Sequence, residues 1–146
     1  MATTKELRGD VIERAANLET LIGAVISQVY FGKVKKSFNF DLLADEYCPF
    51  ALKRRVLLKL VPELREEKNF EVHLNRLNTI RNYFAHVGAV LADAPTENAN
   101  TRTPDPRDFD KSVDFVALHA EYVEKERPVT DTLLKHYKRL GGAWKA

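Results

Sequence analysis

Residues 75–88 read NRLNTIRNYFAHVG, apolar at helical spacing but interrupted by three asparagines and a histidine. At about 100° per residue, residues 70–88 place Phe70, His73, Leu77, Ile80 and Phe84 on one side of a helix, with Leu74 at its edge. That is a core-facing apolar stripe, and His73 reads as a satisfied core histidine. A second stripe carries Asn75, Asn78, Asn82 and His86 at spacings of three, four and four, and Arg81 lies between the two. Solvated helix faces ordinarily carry Glu, Lys and Arg, and Asn is a poor helix former. Three Asn in one line therefore predict a face that meets something polar: a partner helix, a backbone or a ligand phosphate. His86 ends the stripe close to the stop that Gly88 is expected to supply. The helix dipole favours a cationic side chain there.

Outward from this helix the same period recurs. Val11, Ala15, Leu18, Ile22, Val25 and Val29 predict a long helix over 10–31, widened by Ala16, Leu21 and Ile26 and stopped by Gly32. KVKKSFNF (33–40) reads as a basic connector. FDLLADEY (40–47) reads as a short helix or turn with Asp41 as its N-cap. Pro49 opens a further helix whose apolar face is Leu52, Val56, Leu57 and Leu60 and which Pro62 limits. DAPTENANTRTPDPR (93–107) holds three prolines among small polar residues and predicts a long loop over about 92–108. Helical periodicity resumes near residue 109. Pro128 is expected to break or restart it, and VTDTLLKHYKRL (129–140) forms a last helix closed by Gly141 and Gly142. No stretch alternates with period two for long. The expected class is all-α: one domain, 1–146, folded as an up-and-down bundle of four to five helices.

Composition narrows the function classes. The 146 residues are 45% hydrophobic and 30% charged, as in ordinary soluble domains. A net charge of +2 does not by itself imply a nucleic-acid partner, so any such site must be a local patch. Cys48 is the one cysteine, which excludes an internal disulfide and a cysteine zinc site within one chain, and fits a reducing cytoplasm. The start MATTKELRGDVIERAANLE lacks the apolar run of a signal peptide. No stretch reaches the roughly 18 apolar residues of a membrane span. No His or carboxylate set has metal-ligand spacing, so neither a metal nor another cofactor is expected.

Arg81 and His86 suit phosphodiester chemistry without a metal. Arginine offers a rigid fork of donors to phosphate oxygens, and histidine exchanges protons near neutral pH. In RNA the 2′-hydroxyl is an internal nucleophile. A base that removes its proton, beside a cation that steadies the developing charge, is enough to cleave the strand.

RNYFAH (81–86) resembles the R-x4-6-H motif of the HEPN superfamily, including the polar residue directly after the arginine. LETLIGAVISQVY, then FDLLADEYCPFALKRRVLLKLVPE, then HLNRLNTIRNYFAH is similar in order to the mannitol-repressor-type branch, over about 13–88. The resemblance implies a helical bundle that pairs as a symmetric homodimer, with two motifs forming one composite cleft. It implies a metal-independent endoribonuclease of toxin–antitoxin, defence or RNA-processing type, whose products carry a 2′,3′-cyclic phosphate or its hydrolysis product. Arg81 would then bind the phosphate, His86 would move a proton or position the phosphate, and Asn82 would orient both. Asn78 and Asn75 join as binding residues from the helical wheel alone. Other members of the superfamily have no demonstrated nuclease activity and act as binding modules. The second reading is therefore a module acting as a mannitol-repressor-like regulator, or as a dimer that binds a protein, for instance an antitoxin, or a nucleotide.

Blander readings stand beside these. Arg81 can pair with a glutamate, Glu13 or Glu19, and His86 can cap carbonyls. The Asn stripe can be a plain packing contact. The basic runs Lys33, Lys35, Lys36 and Lys53, Arg54, Arg55 are ordinarily solvated faces, or they flank a cleft and guide a polyanion. His119 and His136 carry no assigned role. The 92–108 loop is expected to border the cleft.

Overall fold

The computed structural model describes residues 2–43, 48–91 and 113–143. Among these the regular structure is helical throughout. Helix α1 spans Thr4–Phe31, a π-helical turn Phe38–Leu43, α2 Phe50–Leu60, a 3-10 turn Pro62–Arg65, α3 Phe70–Leu91 and α4 Phe115–Arg139. The all-α bundle read from the periodicity is the fold found.

Helix α1 starts two turns earlier than its apolar period. Thr3 caps it: the Glu6 N–H donates to Thr3 Oγ1 at 3.2 Å and the Thr3 N–H donates to Glu6 Oε2 at 2.7 Å. Two of the unpaired N–H groups of the first turn are thereby satisfied. Gly32 closes the helix in the left-handed region, φ 66°, its N–H donating to the Gln28 carbonyl at 2.9 Å.

Three further boundaries differ from expectation. Gly88 does not end α3, which continues to Leu91; a single glycine costs a helix only about 1 kcal/mol against alanine. Pro128 lies inside α4 rather than between two helices. The missing donor leaves the Glu124 carbonyl without its helical partner, yet Tyr122, Val129, Leu133 and Tyr137 are all buried, and their packing holds the helix through. Asp41 sits within the π-helical turn, not at an N-cap, because the helical hydrogen bonds begin earlier, with the Asn39 N–H donating to Lys35. The expected loop 92–108 and the expected helix start near 109 lie outside the described residues. The described helix opens at Phe115, where the Asp114 carboxylate accepts from the Ala117 N–H at 3.0 Å.

The three long helices alternate in direction. Arg8 Nε donates to the Phe84 carbonyl at 3.1 Å, while Leu18 and Leu77 line one pit, so α1 and α3 are antiparallel. Arg76 meets Glu121 and Glu67 meets His136, so α3 and α4 are antiparallel too. It follows that α1 and α4 run parallel: Asp10 meets His119 at 2.7 Å, Arg14 meets Glu126 at 3.5 Å, and Gln28 Nε2 donates to the Leu140 carbonyl at 3.0 Å. His119, followed by Arg14, holds the Asp10 carboxyl below its usual range. One core joins the helices through Val11, Ile22, Leu57, Leu77, Ile80, Phe84 and Leu133, all fully buried. Each such side chain contributes roughly 1.5–3 kcal/mol by leaving water. Phe84 also meets Phe115 with ring centres 5.2 Å apart.

Candidate functional site

The stripe read from the sequence lies on α3, between α1, α2 and α4. Arg81, Asn82, Asn78 and His86 are all half-buried, and Asn75 is exposed. The core face fixes this orientation: Leu77, Ile80 and Phe84 are fully buried, so the residues between them emerge at the helix flank. His73, expected in the core, is only half-buried. It lies at the border of the apolar arc, one turn from the start of the helix.

Arg81 and Asn82 are brought together. The guanidinium NH1 donates to Asn82 Oδ1 at 3.1 Å. Such a bond restrains the fork of donors while leaving its other N–H groups available. Arg81 and Asn78 also line a small pit where the four described α-helices converge, with Ala15, Leu18, Glu19, Phe50 and Tyr122. The pit encloses about 10 Å³, room for at most about one water and none for a phosphate. Tyr122 is 1% exposed, and burial pushes its hydroxyl pKa well up, so it stays a neutral donor.

Asn75 belongs elsewhere. Its carboxamide oxygen accepts from Arg54 NH1 on α2, so the far end of the stripe is a contact between two helices of the same chain. Of the two glutamates weighed as partners for Arg81, Glu13 is exposed, whereas Glu19 lines the pit. Glu19 Oε2 accepts from Lys53 Nζ at 2.9 Å.

Lys53 is therefore no surface cation, although it begins a basic run. Its side chain is 7% exposed. It shares a helix face with Leu57 and Leu60, at plus four and plus seven, a periodicity that marks it as inward-facing. On α4, Lys135 Nζ donates to Glu67 at 2.6 Å and Arg139 lies 3.7 Å from Glu63, so both serve the contact between α4 and the lead-in to α3. His136, buried beside Glu67 at 3.3 Å, belongs to the same junction.

Compared with family models, with curated proteins and with solved structures, the chain finds no match in any of the three. The site therefore rests on its own geometry. Among the described residues no three His, Cys, Asp or Glu side chains gather as a metal site. No described helix is long and apolar enough to cross a membrane.

Two cavities had no signal in the sequence as motifs. One is an apolar groove of about 590 Å³ between the end of α1, the π-helical turn and α2, bordered by Tyr30, Phe31, Phe38, Leu42 and Leu52. The other is a smaller pocket of about 190 Å³ bordered by Ala16, Gly23, Asn39, Leu43 and Lys53. Both need α1, the π-helical turn and α2 to meet, which no local pattern reports.

Proposed function

We propose that the chain is a metal-independent endoribonuclease of the HEPN type. The observation that carries the reading is the Arg81–Asn82 hydrogen bond on the helix flank, with His86 half-buried one turn further along the Asn82 stripe. In the proposed reaction the RNA 2′-hydroxyl attacks the adjacent phosphorus. The P–O2′ bond forms and the P–O5′ bond breaks, leaving a 2′,3′-cyclic phosphate and a free 5′-hydroxyl. Arg81 holds the non-bridging oxygens, where charge accumulates. His86 moves the proton, taking it from the 2′-hydroxyl or giving one to the departing 5′-oxygen. The proton released by one oxygen is consumed at the other, so no metal or redox partner is required.

The pit at Arg81 is too small to seat a phosphate inside one chain. This favours a cleft completed across a homodimer. The same closure favours the second reading, a non-catalytic regulator or binding dimer, because Asn78 and Arg81 face a nearly filled space. The end groups of RNA incubated with the protein in EDTA separate the two. Cyclic phosphate and 5′-hydroxyl ends are expected; intact RNA across varied sequences, with a folded dimer present, would leave the regulator reading.

A further inference from the structure

Among the described residues seven large apolar side chains are exposed, and they are not evenly spread. Four of them, Tyr30, Phe31, Leu42 and Leu52, border the groove of about 590 Å³ between the end of α1, the π-helical turn and α2. A fifth, Val34, follows Phe31 by three residues. Exposed apolar residues gathered around a concavity mark an interaction site, whereas singly scattered ones do not. Buried Ile26 and Leu43 form the floor, and the exposed four stand at the rim. A small molecule on the floor would leave Tyr30 and Leu42, 57% and 55% exposed, in water. A helix laid along the groove covers floor and rim together.

Charge selects the partner. Lys33, Lys35 and Lys36 are exposed in the segment after α1, and Leu52 shares its face of α2 with exposed Arg55 and Lys59, at plus three and plus seven. Lys53 at the lining is already paired with Glu19, and the acid among the lining residues is Asp41. Residues 33–59 carry seven Lys or Arg against three Asp or Glu, so the apolar rim sits in a basic surround. A second copy of the chain would bring two such surrounds together, which like charge disfavours. Nor do the rings suit stacked bases, which need free aromatic faces. Phe31 and Phe38 meet edge to face with centres 5.0 Å apart, and Tyr30 meets Phe38 in the same way at 6.1 Å. The Lys35 ammonium lies 4.9 Å from the centre of the Phe31 ring. We propose that this groove receives an acidic amphipathic helix of a partner protein. Its apolar stripe lies on Ile26, Leu42 and Leu52, and its carboxylates face the lysines after α1 and the outer face of α2. The proposal does not depend on the nuclease reading.

The test is fluorescence anisotropy of a labelled synthetic peptide of about 18 residues, long enough to hold a helix. It carries leucines along one face and glutamates on the flanks, and a counterpart has lysine in place of every glutamate. Wild type is expected to bind the glutamate peptide saturably, about tenfold or more tighter than the lysine peptide, with the preference shrinking as salt rises. Leu52→Glu is expected to weaken binding about tenfold or more. Arg55→Glu combined with Lys59→Glu is expected to shift the preference toward the lysine peptide. All three positions are exposed, so both variants should unfold at the wild-type urea concentration. No saturable binding, equal affinity for the two peptides, or unchanged affinity in Leu52→Glu would overturn the inference. Tighter binding to phosphatidylglycerol vesicles or to oligouridine, lost in Leu52→Glu, would give the groove to a membrane or an RNA and overturn it. A dimer that Leu52→Glu dissociates in sedimentation would give it to a second copy and overturn it as well.

Discussion

The ammonium of Lys53 lies 2.9 Å from Glu19 Oε2, with the lysine side chain 7% exposed and the glutamate 29%. The pair ties α2 to α1 beside the Arg81 pit, and its two members are unequal in what they leave behind. Glu19→Ala strands a buried cation and is expected to cost about 3 kcal/mol. Lys53→Met leaves a carboxylate that water can still reach, and fills the same space with an apolar chain, so about 1–2 kcal/mol is expected. Urea denaturation of both variants checks the order. A larger loss for Lys53→Met would contradict the burial argument.

Acid sensitivity follows from Glu121. Arg76 donates to it twice, at 2.6 and 2.8 Å, and with Lys125 holds the carboxyl down at about 2 against an ordinary 4.5. A depressed carboxyl pKa stabilises the folded state fully above 4.5, and the contribution disappears as pH falls toward 2. With solvent screening allowed for, about 1–2 kcal/mol is involved. Glu121→Gln is expected to be less stable than wild type at pH 7 and nearly equal to it at pH 2. Urea midpoints measured across that range decide it; a constant difference at all pH values would exclude the linkage.

The Asn stripe is expected to divide by function. Asn75 is exposed and bonded to Arg54, so Asn75→Ala should change stability by no more than about 0.5 kcal/mol and leave cleavage unchanged. Asn82 restrains Arg81, so Asn82→Ala should slow cleavage by about tenfold or more at wild-type stability. Single-turnover rates on one RNA check both. Equal slowing by the two variants would mean that the stripe acts as one surface.

Much of this was legible before the structure. The period of Leu77, Ile80 and Phe84 fixed which way α3 faces, and with it the flank that carries Arg81, Asn82 and His86. What stayed hidden needed contacts between distant segments. Asn39 read as part of a basic connector because nothing local reports a π-helical turn packed on Gly23. Lys53 read as one of three surface cations, although its spacing to Leu57 and Leu60 carried the opposite signal. Thr3 and Glu6 are different: their capping box is a local signal three residues apart, and the apolar stripe alone, which starts at Val11, does not report it. Pro128 read as a break because propensity weighs the lost hydrogen bond and not the burial of Tyr122 and Val129 on either side of it.

Cleavage at the Arg81–His86 flank is decided by the rate of RNA cleavage in EDTA by wild type, Arg81→Ala and His86→Ala, each shown to be folded. Loss of about a hundredfold or more in both variants, with wild-type products ending in 2′,3′-cyclic phosphate, is the expected result. Equal rates in all three proteins, or no cleavage by wild type, would contradict it.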